Sequence, residues 1–230
     1  MKIEEYEIRK IKDFLTLENL KAKLSNNDLI LIKAYTDKSL EENLLSYLTE
    51  EEIIKSKDYK SEIAKINYIT ARAILNLVLK DLLEKEINDI RIKRDKNNKP
   101  YVGNTLGLKF NISHTDGLVL LAFCKKEIGI DIEKINHKFD FKDILENCFT
   151  KYEIINIDNK AKNFFMYWTA KEAYLKCDGI GLIRDLKEIE IISFESKFIE
   201  IRNSKNNTVS MLKPLNYNDK YAGVICLEEN

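Results

Sequence analysis

The chain has 230 residues, 44% hydrophobic and 33% charged, and its 38 basic and 38 acidic side chains cancel to a net charge of +0. That length can bury a substantial core as one large domain or two small ones, and the neutral balance excludes a global field drawing the protein to nucleic acid or a membrane. Cys124, Cys148, Cys177 and Cys226 are scattered without a C-x-x-C pair, which reads as reduced thiols of the cytoplasm rather than a disulfide or zinc framework. No run is apolar enough to cross a bilayer, and Met1–Glu5 lacks the charged-then-apolar order of a signal peptide.

Taken in chain order, Leu29–Lys33 reads as an apolar strand. Thr49 and Glu52 then form a Thr-x-x-Glu capping box that opens a helix. Tyr68-Ile69-Thr70-Ala71-Arg72 follows, then strand-like Ile90–Ile92 and the apolar strand Gly117–Cys124. Roughly a hundred residues further on the same order returns: a strand around Asp131, a capping box at Thr150 and Glu153, Tyr167-Trp168-Thr169-Ala170-Lys171, strand-like Ile189–Ile191, and apolar Tyr221–Leu227. The repeat predicts an α+β fold of two similar halves, 1–124 and 125–230, related by a pseudo-twofold axis with the site in the cleft between them.

Between the repeats lies a basic stretch, Arg91-Ile92-Lys93-Arg94-Asp95-Lys96-Asn97-Asn98-Lys99-Pro100-Tyr101, readable as a solvated hairpin tip or as a site for one terminal phosphate. Next, Phe110-Asn111-Ile112-Ser113-His114-Thr115 leads into a hairpin turn, where Ser113 and His114 beside backbone N–H groups suit an anion.

The differences between the copies point to chemistry. In Gly129-Ile130-Asp131-Ile132-Glu133-Lys134, apolar and acidic residues alternate at the period of a half-buried strand, so Asp131 and Glu133 share a face. The first half has Leu31 and Lys33 there, and Ala73 where the second has Glu172. On a helix spanning Asn163–Cys177, Trp168, Glu172 and Lys176 form one stripe, and Gly179 and Gly181 follow as a tight turn. Acids on a strand, an acid and a lysine on a helix and a glycine turn suit a phosphate held with a divalent ion, Mg²⁺ before others. An exposed acidic edge strand and an ordinary surface Glu–Lys pair are the bland alternatives.

With Lys99-Pro100-Tyr101 and Trp168-Thr169-Ala170-Lys171-Glu172-Ala173-Tyr174-Leu175-Lys176 added in order and spacing, the chain resembles the 4′-phosphopantetheinyl transferases, specifically the larger, monomeric, Sfp-type class that activates peptide and polyketide synthases. The resemblance implies a cytoplasmic, monomeric enzyme that moves the phosphopantetheine arm of coenzyme A onto a serine of an apo acyl or peptidyl carrier protein and releases adenosine 3′,5′-bisphosphate. It implies Asp131, Glu133 and Glu172 as Mg²⁺ ligands and Asp131, Glu172 and Lys176 as the catalytic set, with Glu172 a candidate base. Ser113 and His114 are implied for phosphate oxygens, Lys99 and Pro100 for the adenosine end, and Arg72 and Lys171 as further coenzyme contacts. Asn98 stands where the family commonly has glycine, and Asn67 and Asn76 where it commonly has basic residues. A non-catalytic module binding carrier protein or coenzyme A, and a general Mg²⁺ phosphodiesterase, remain as alternative readings.

Overall fold

The computed structural model describes residues 2–17, 20–24, 29–103, 107–179 and 185–228. The chain divides into two compact units, one of residues 1–95 and 100–126, the other of 96–99 and 127–230. Each is mixed α+β.

In the first unit the elements run β1 (Ile3–Ile8), α1 (Lys21–Leu24), β2 (Leu29–Tyr35), α2 (Glu41–Leu44), α3 (Glu50–Ser56), α4 (Glu62–Leu83), β3 (Ile92–Arg94), β4 (Pro100–Val102), β5 (Lys109–Thr115) and β6 (Leu118–Cys124). The main sheet has the order β1-β2-β6-β5, parallel between β1 and β2 and antiparallel elsewhere, while β3 and β4 pair as a separate hairpin. Strand β6 is buried along its whole length, as an uninterrupted apolar run at a sheet centre should be. Helix α3 opens on the expected capping box: Thr49 Oγ1 accepts from the Glu52 N–H, and Glu52 Oε2 accepts from the Thr49 N–H. Having capped the helix, the buried Glu52 carboxylate is neutralised by Arg72 and accepts from Asn76 Nδ2 at 2.6 Å, both on α4.

The second unit runs β7 (Ile128–Lys134), α5 (Lys142–Cys148), α6 (Lys151–Ile157), α7 (Ala161–Asp178), β8 (Ile189–Phe194), β9 (Ile199–Asn203), β10 (Thr208–Tyr217) and β11 (Tyr221–Leu227). Its antiparallel sheet has the order β7-β11-β10-β9-β8. The repeat read in the sequence is visible in the topology: β2-β6-β5 in the first unit corresponds to β7-β11-β10 in the second. Leu31 pairs with Ala122 and Asp131 with Val224, so apolar and acidic residues occupy matching places in the two sheets.

Thr150 and Glu153 repeat the capping box at α6. Here the basic partner of the buried acid is Lys171, and the pair is sealed, with both side chains 0% exposed. Lys171 Nζ donates to Glu153 Oε2 at 2.8 Å, to the Cys148 carbonyl at 3.1 Å and to the Leu186 carbonyl at 2.9 Å, and it lies over the Phe149 ring. Glu153 Oε1 accepts from the Ile191 N–H at 2.8 Å. Burial pulls the Lys171 pKa down while Glu153 opposes the shift. The expectation that Lys171 contacts the coenzyme is therefore corrected. One position before Glu172 on α7, it is turned by about 100° into the core and joins α5, α6, α7 and β8.

Two outcomes follow for stability. Gly129→Ala places a Cβ 2.1 Å from the Ala173 carbonyl oxygen and is expected to cost about 3 kcal/mol or more in urea unfolding; an unchanged midpoint would show that α7 has room to move. Lys171→Met strands the Glu153 carboxylate and should cost about 3–5 kcal/mol, part of it recovered by adding Glu153→Gln. A single-variant loss below about 1 kcal/mol would mean that water reaches the pair.

Candidate active site

Gly129, Asp131 and Glu133 lie on one face of β7 by the two-residue period of a strand. Helix α7 covers that face, and it comes closest at Gly129, where a Cβ would lie 2.1 Å from the Ala173 oxygen and 2.3 Å from the Cys177 nitrogen. Only a residue without a side chain allows this approach. Glu172 and Lys176 precede Ala173 and Cys177 by one position each, so the same contact sets them beside Asp131.

The result differs from the half-buried strand expected. Asp131 is 4% exposed, and its Oδ1 accepts from Lys176 Nζ at 2.6 Å. Glu172 Oε1 is buried and has no hydrogen-bond partner among the described residues. Burial pushes the Glu172 pKa up, the neighbouring Asp131 carboxylate pushes it the same way, and Lys176 opposes both. Two carboxylates and one ammonium leave an excess negative charge in a partly dehydrated place, which favours a further cation.

The donor chemistry fits Mg²⁺: hard carboxylate oxygens, one of them buried and uncommitted, for an ion that commonly takes one or two carboxylates from protein and the rest from phosphate and water. Asp131 and Glu172 are the residues that would hold it. Among the described residues no group of three or more His, Cys, Asp or Glu converges as a ready-made metal cluster. Glu133 shares the β7 face but does not close with Asp131 and Glu172 into the trio expected from the sequence.

Trp168, the first residue of the helix stripe, stacks on Phe164 with ring centroids 6.2 Å apart and packs against the second unit's core. Helix α7 ends at Gly179 in the left-handed region (φ +73), whose N–H donates to the Leu175 carbonyl. Gly181, the other half of the expected glycine turn, lies outside the described residues.

The remaining candidates are distributed as follows. Strand β5 continues through Thr115, and the turn is Asp116-Gly117, with Gly117 at φ +81. Ser113 and His114 are thus consecutive strand residues, the first buried and the second exposed, and they face opposite sides of the sheet rather than forming one clamp in a turn. Arg72 is bound to Glu52. Pro100 begins β4 opposite Arg94. Lys99 Nζ donates to Glu127 Oε2 at 2.9 Å and to the Cys177 carbonyl at 3.0 Å. Asn98 adopts φ +69, the left-handed conformation that the family's glycine at this place would take freely.

Sequence reasoning missed Glu127, for which no local pattern gives a sign, and the role of Gly129, for which there was one. An isolated glycine inside a strand pattern marks a close approach of another backbone.

Comparison with known proteins agrees with the geometry. Residues 127–226 match the 4′-phosphopantetheinyl transferase superfamily, and residues 36–126 match the family described as 4′-phosphopantetheinyl transferase, N-terminal. The chain is similar to 4′-phosphopantetheinyl transferase HetI of Nostoc sp. (strain PCC 7120), 31% identical over 65% of this chain and 67% of that protein. It is also similar to 4′-phosphopantetheinyl transferase gsp of Aneurinibacillus migulanus, 28% identical over 66% and 68%, and to Sfp of Bacillus subtilis (strain 168), 24% identical over 84% and 89%. With both of its units matched and its acids held between β7 and α7, this chain belongs to the 4′-phosphopantetheinyl transferase superfamily and is an enzyme of that class.

Proposed function

We propose that the enzyme transfers the phosphopantetheine arm of coenzyme A to a serine hydroxyl of an apo acyl or peptidyl carrier protein and releases adenosine 3′,5′-bisphosphate. In this reading it depends on Mg²⁺, acts as a cytoplasmic monomer and serves peptide or polyketide synthases. The observation that carries it is the buried, unpartnered Glu172 oxygen next to Asp131 and Lys176. Among the described residues no helix is long and apolar enough to cross a membrane.

Phosphoryl transfer demands positioning and charge neutralisation more than covalent chemistry from the protein. When bound, Mg²⁺ would supply neutralisation of the pyrophosphate charge. Asp131 and Glu172 would hold that ion, and Glu133 lies on the same strand face. Lys176, tethered by Asp131, is positioned to donate to a phosphate oxygen and to stabilise charge that develops on it. Glu172 is also the candidate to accept the serine proton. Of the coenzyme contacts expected in the first unit, His114, exposed on β5, is the one we keep for a phosphate oxygen, because Ser113 faces the other side of the sheet and Arg72 is bound to Glu52. Lys99 with Pro100 is kept for the adenosine end.

Incubation with coenzyme A, Mg²⁺ and an apo carrier, followed by mass spectrometry of the carrier, should show the gain of one phosphopantetheine. No gain on any of several carriers, with coenzyme A still bound, would favour the non-catalytic module; coenzyme cleavage without carrier gain would favour the phosphodiesterase. Glu172→Gln should lower kcat at least about a hundredfold, yet raise the metal-free thermal midpoint, because it removes a poorly solvated charge. Wild-type turnover in that variant, or a lowered midpoint, would count against the assignment. Lys176→Met should also slow transfer at least about a hundredfold, and an unchanged kcat would leave Lys176 as a partner of Asp131 alone.

A further inference from the structure

Lys99 belongs to the short 96–99 segment that folds with the second unit. Its side chain is 14% exposed, and its ammonium rests between the Glu127 carboxylate and the Cys177 carbonyl in the last turn of α7. A cation at the C-terminal end of a helix also meets the negative end of the helix dipole. The stem of Lys99 lies against Gly179, where a Cβ would be 3.5 Å from its Cδ. Glu127 is fixed in turn at both backbone and side chain: its carbonyl accepts from Cys177 Sγ at 3.4 Å and from the Glu228 N–H at 3.0 Å. Lys99 is therefore anchored to the end of the helix that carries Glu172 and Lys176. To meet a phosphate directly it would have to leave a carboxylate and a carbonyl in a largely dehydrated place, a cost that an exposed lysine does not bear.

We infer that Glu127 is a positioning residue for the coenzyme: by holding Lys99 on the end of α7 it fixes the backbone at Asn98–Pro100, and that fixed backbone, rather than the charge of Lys99, recognises the adenosine end. The inference rests on the transferase reading, which places Lys99 and Pro100 at that end of the substrate. Nothing in the alternating pattern of β7 foreshadows it, because Glu127 precedes the strand and its partner is far away in sequence. The positive φ of Asn98 adds to the need for an anchor, since the loop holds a side-chain-bearing residue in a conformation that glycine adopts more freely.

The test is calorimetric binding of coenzyme A and of 3′-dephospho-coenzyme A to the full chain, in wild type, Glu127→Ala, Lys99→Met and the double variant. Glu127→Ala should weaken both ligands by the same factor, about five- to tenfold, while the kcat for carrier modification at saturating coenzyme stays as in wild type. Lys99→Met should weaken both ligands by that same factor, and the double variant no further, because either change opens the same latch. Unchanged affinity in Glu127→Ala would overturn the proposal. So would a Lys99→Met variant that weakens coenzyme A but leaves 3′-dephospho-coenzyme A untouched, because Lys99 would then be reading the 3′-phosphate. Binding reports on the latch even if no carrier gains mass, so failure of the transferase reading is separable from failure of the latch.

Discussion

The candidate site depends on one missing side chain. At Gly129 the backbone of α7 approaches β7 more closely than any Cβ would permit, with Ala173 and Cys177 filling the space. Because helix neighbours are fixed in phase, that contact also determines where Glu172 and Lys176 stand. Asp131, two residues along the same strand face, is thereby roofed over and paired with Lys176. The sealed Glu153–Lys171 pair fixes the far side of the same helix, joining it to α5, α6 and β8. α7 is held by a backbone contact on one side and a buried ion pair on the other, and the residues between them have little freedom.

Within that frame the charges are set against stability. Glu172 keeps a carboxyl oxygen buried without a hydrogen bond, next to a second carboxylate, with Lys176 as partial compensation. A structural role alone gives no reason to retain such an arrangement, because an apolar residue would remove the desolvation penalty. The proposed binding of a divalent ion and a diphosphate supplies one, since two carboxylates suit the cation and an ammonium suits the diphosphate. The first unit shows what the repeat looks like without that demand. Leu31 stands in the place of Asp131 and Ala73 in that of Glu172, while the buried acid–base pair at the capping box persists as Glu52 and Arg72.

Much of this was legible in one dimension. Both capping boxes, the order of the repeated elements and the α+β class follow from local patterns whose physics is local: a Thr three positions before a Glu, and a run of alternating or continuous apolar residues. Asp131, Glu172 and Lys176 were legible as chemistry because helix and strand periods place them on defined faces. What was not legible depended on which element covers which face. Alternation at β7 predicts a half-buried strand, yet α7 lies on its acidic face and buries Asp131. The resemblance implied Lys171 as a coenzyme contact, but the helical turn of about 100° between it and Glu172 sends it into the core. Ser113 and His114 looked like one clamp because the strand was expected to end before them; it runs on to Thr115, and the pleat separates them.

The central claim is that Asp131 and Glu172 together hold a divalent ion when the coenzyme is bound. Electron paramagnetic resonance of Mn²⁺ added to the protein with coenzyme A measures this without reference to turnover. One bound ion per chain in the wild type, lost in Glu172→Ala and in Asp131→Ala while both variants keep their fold by circular dichroism, is the result expected. An ion bound equally well by the wild type and by either variant would contradict it.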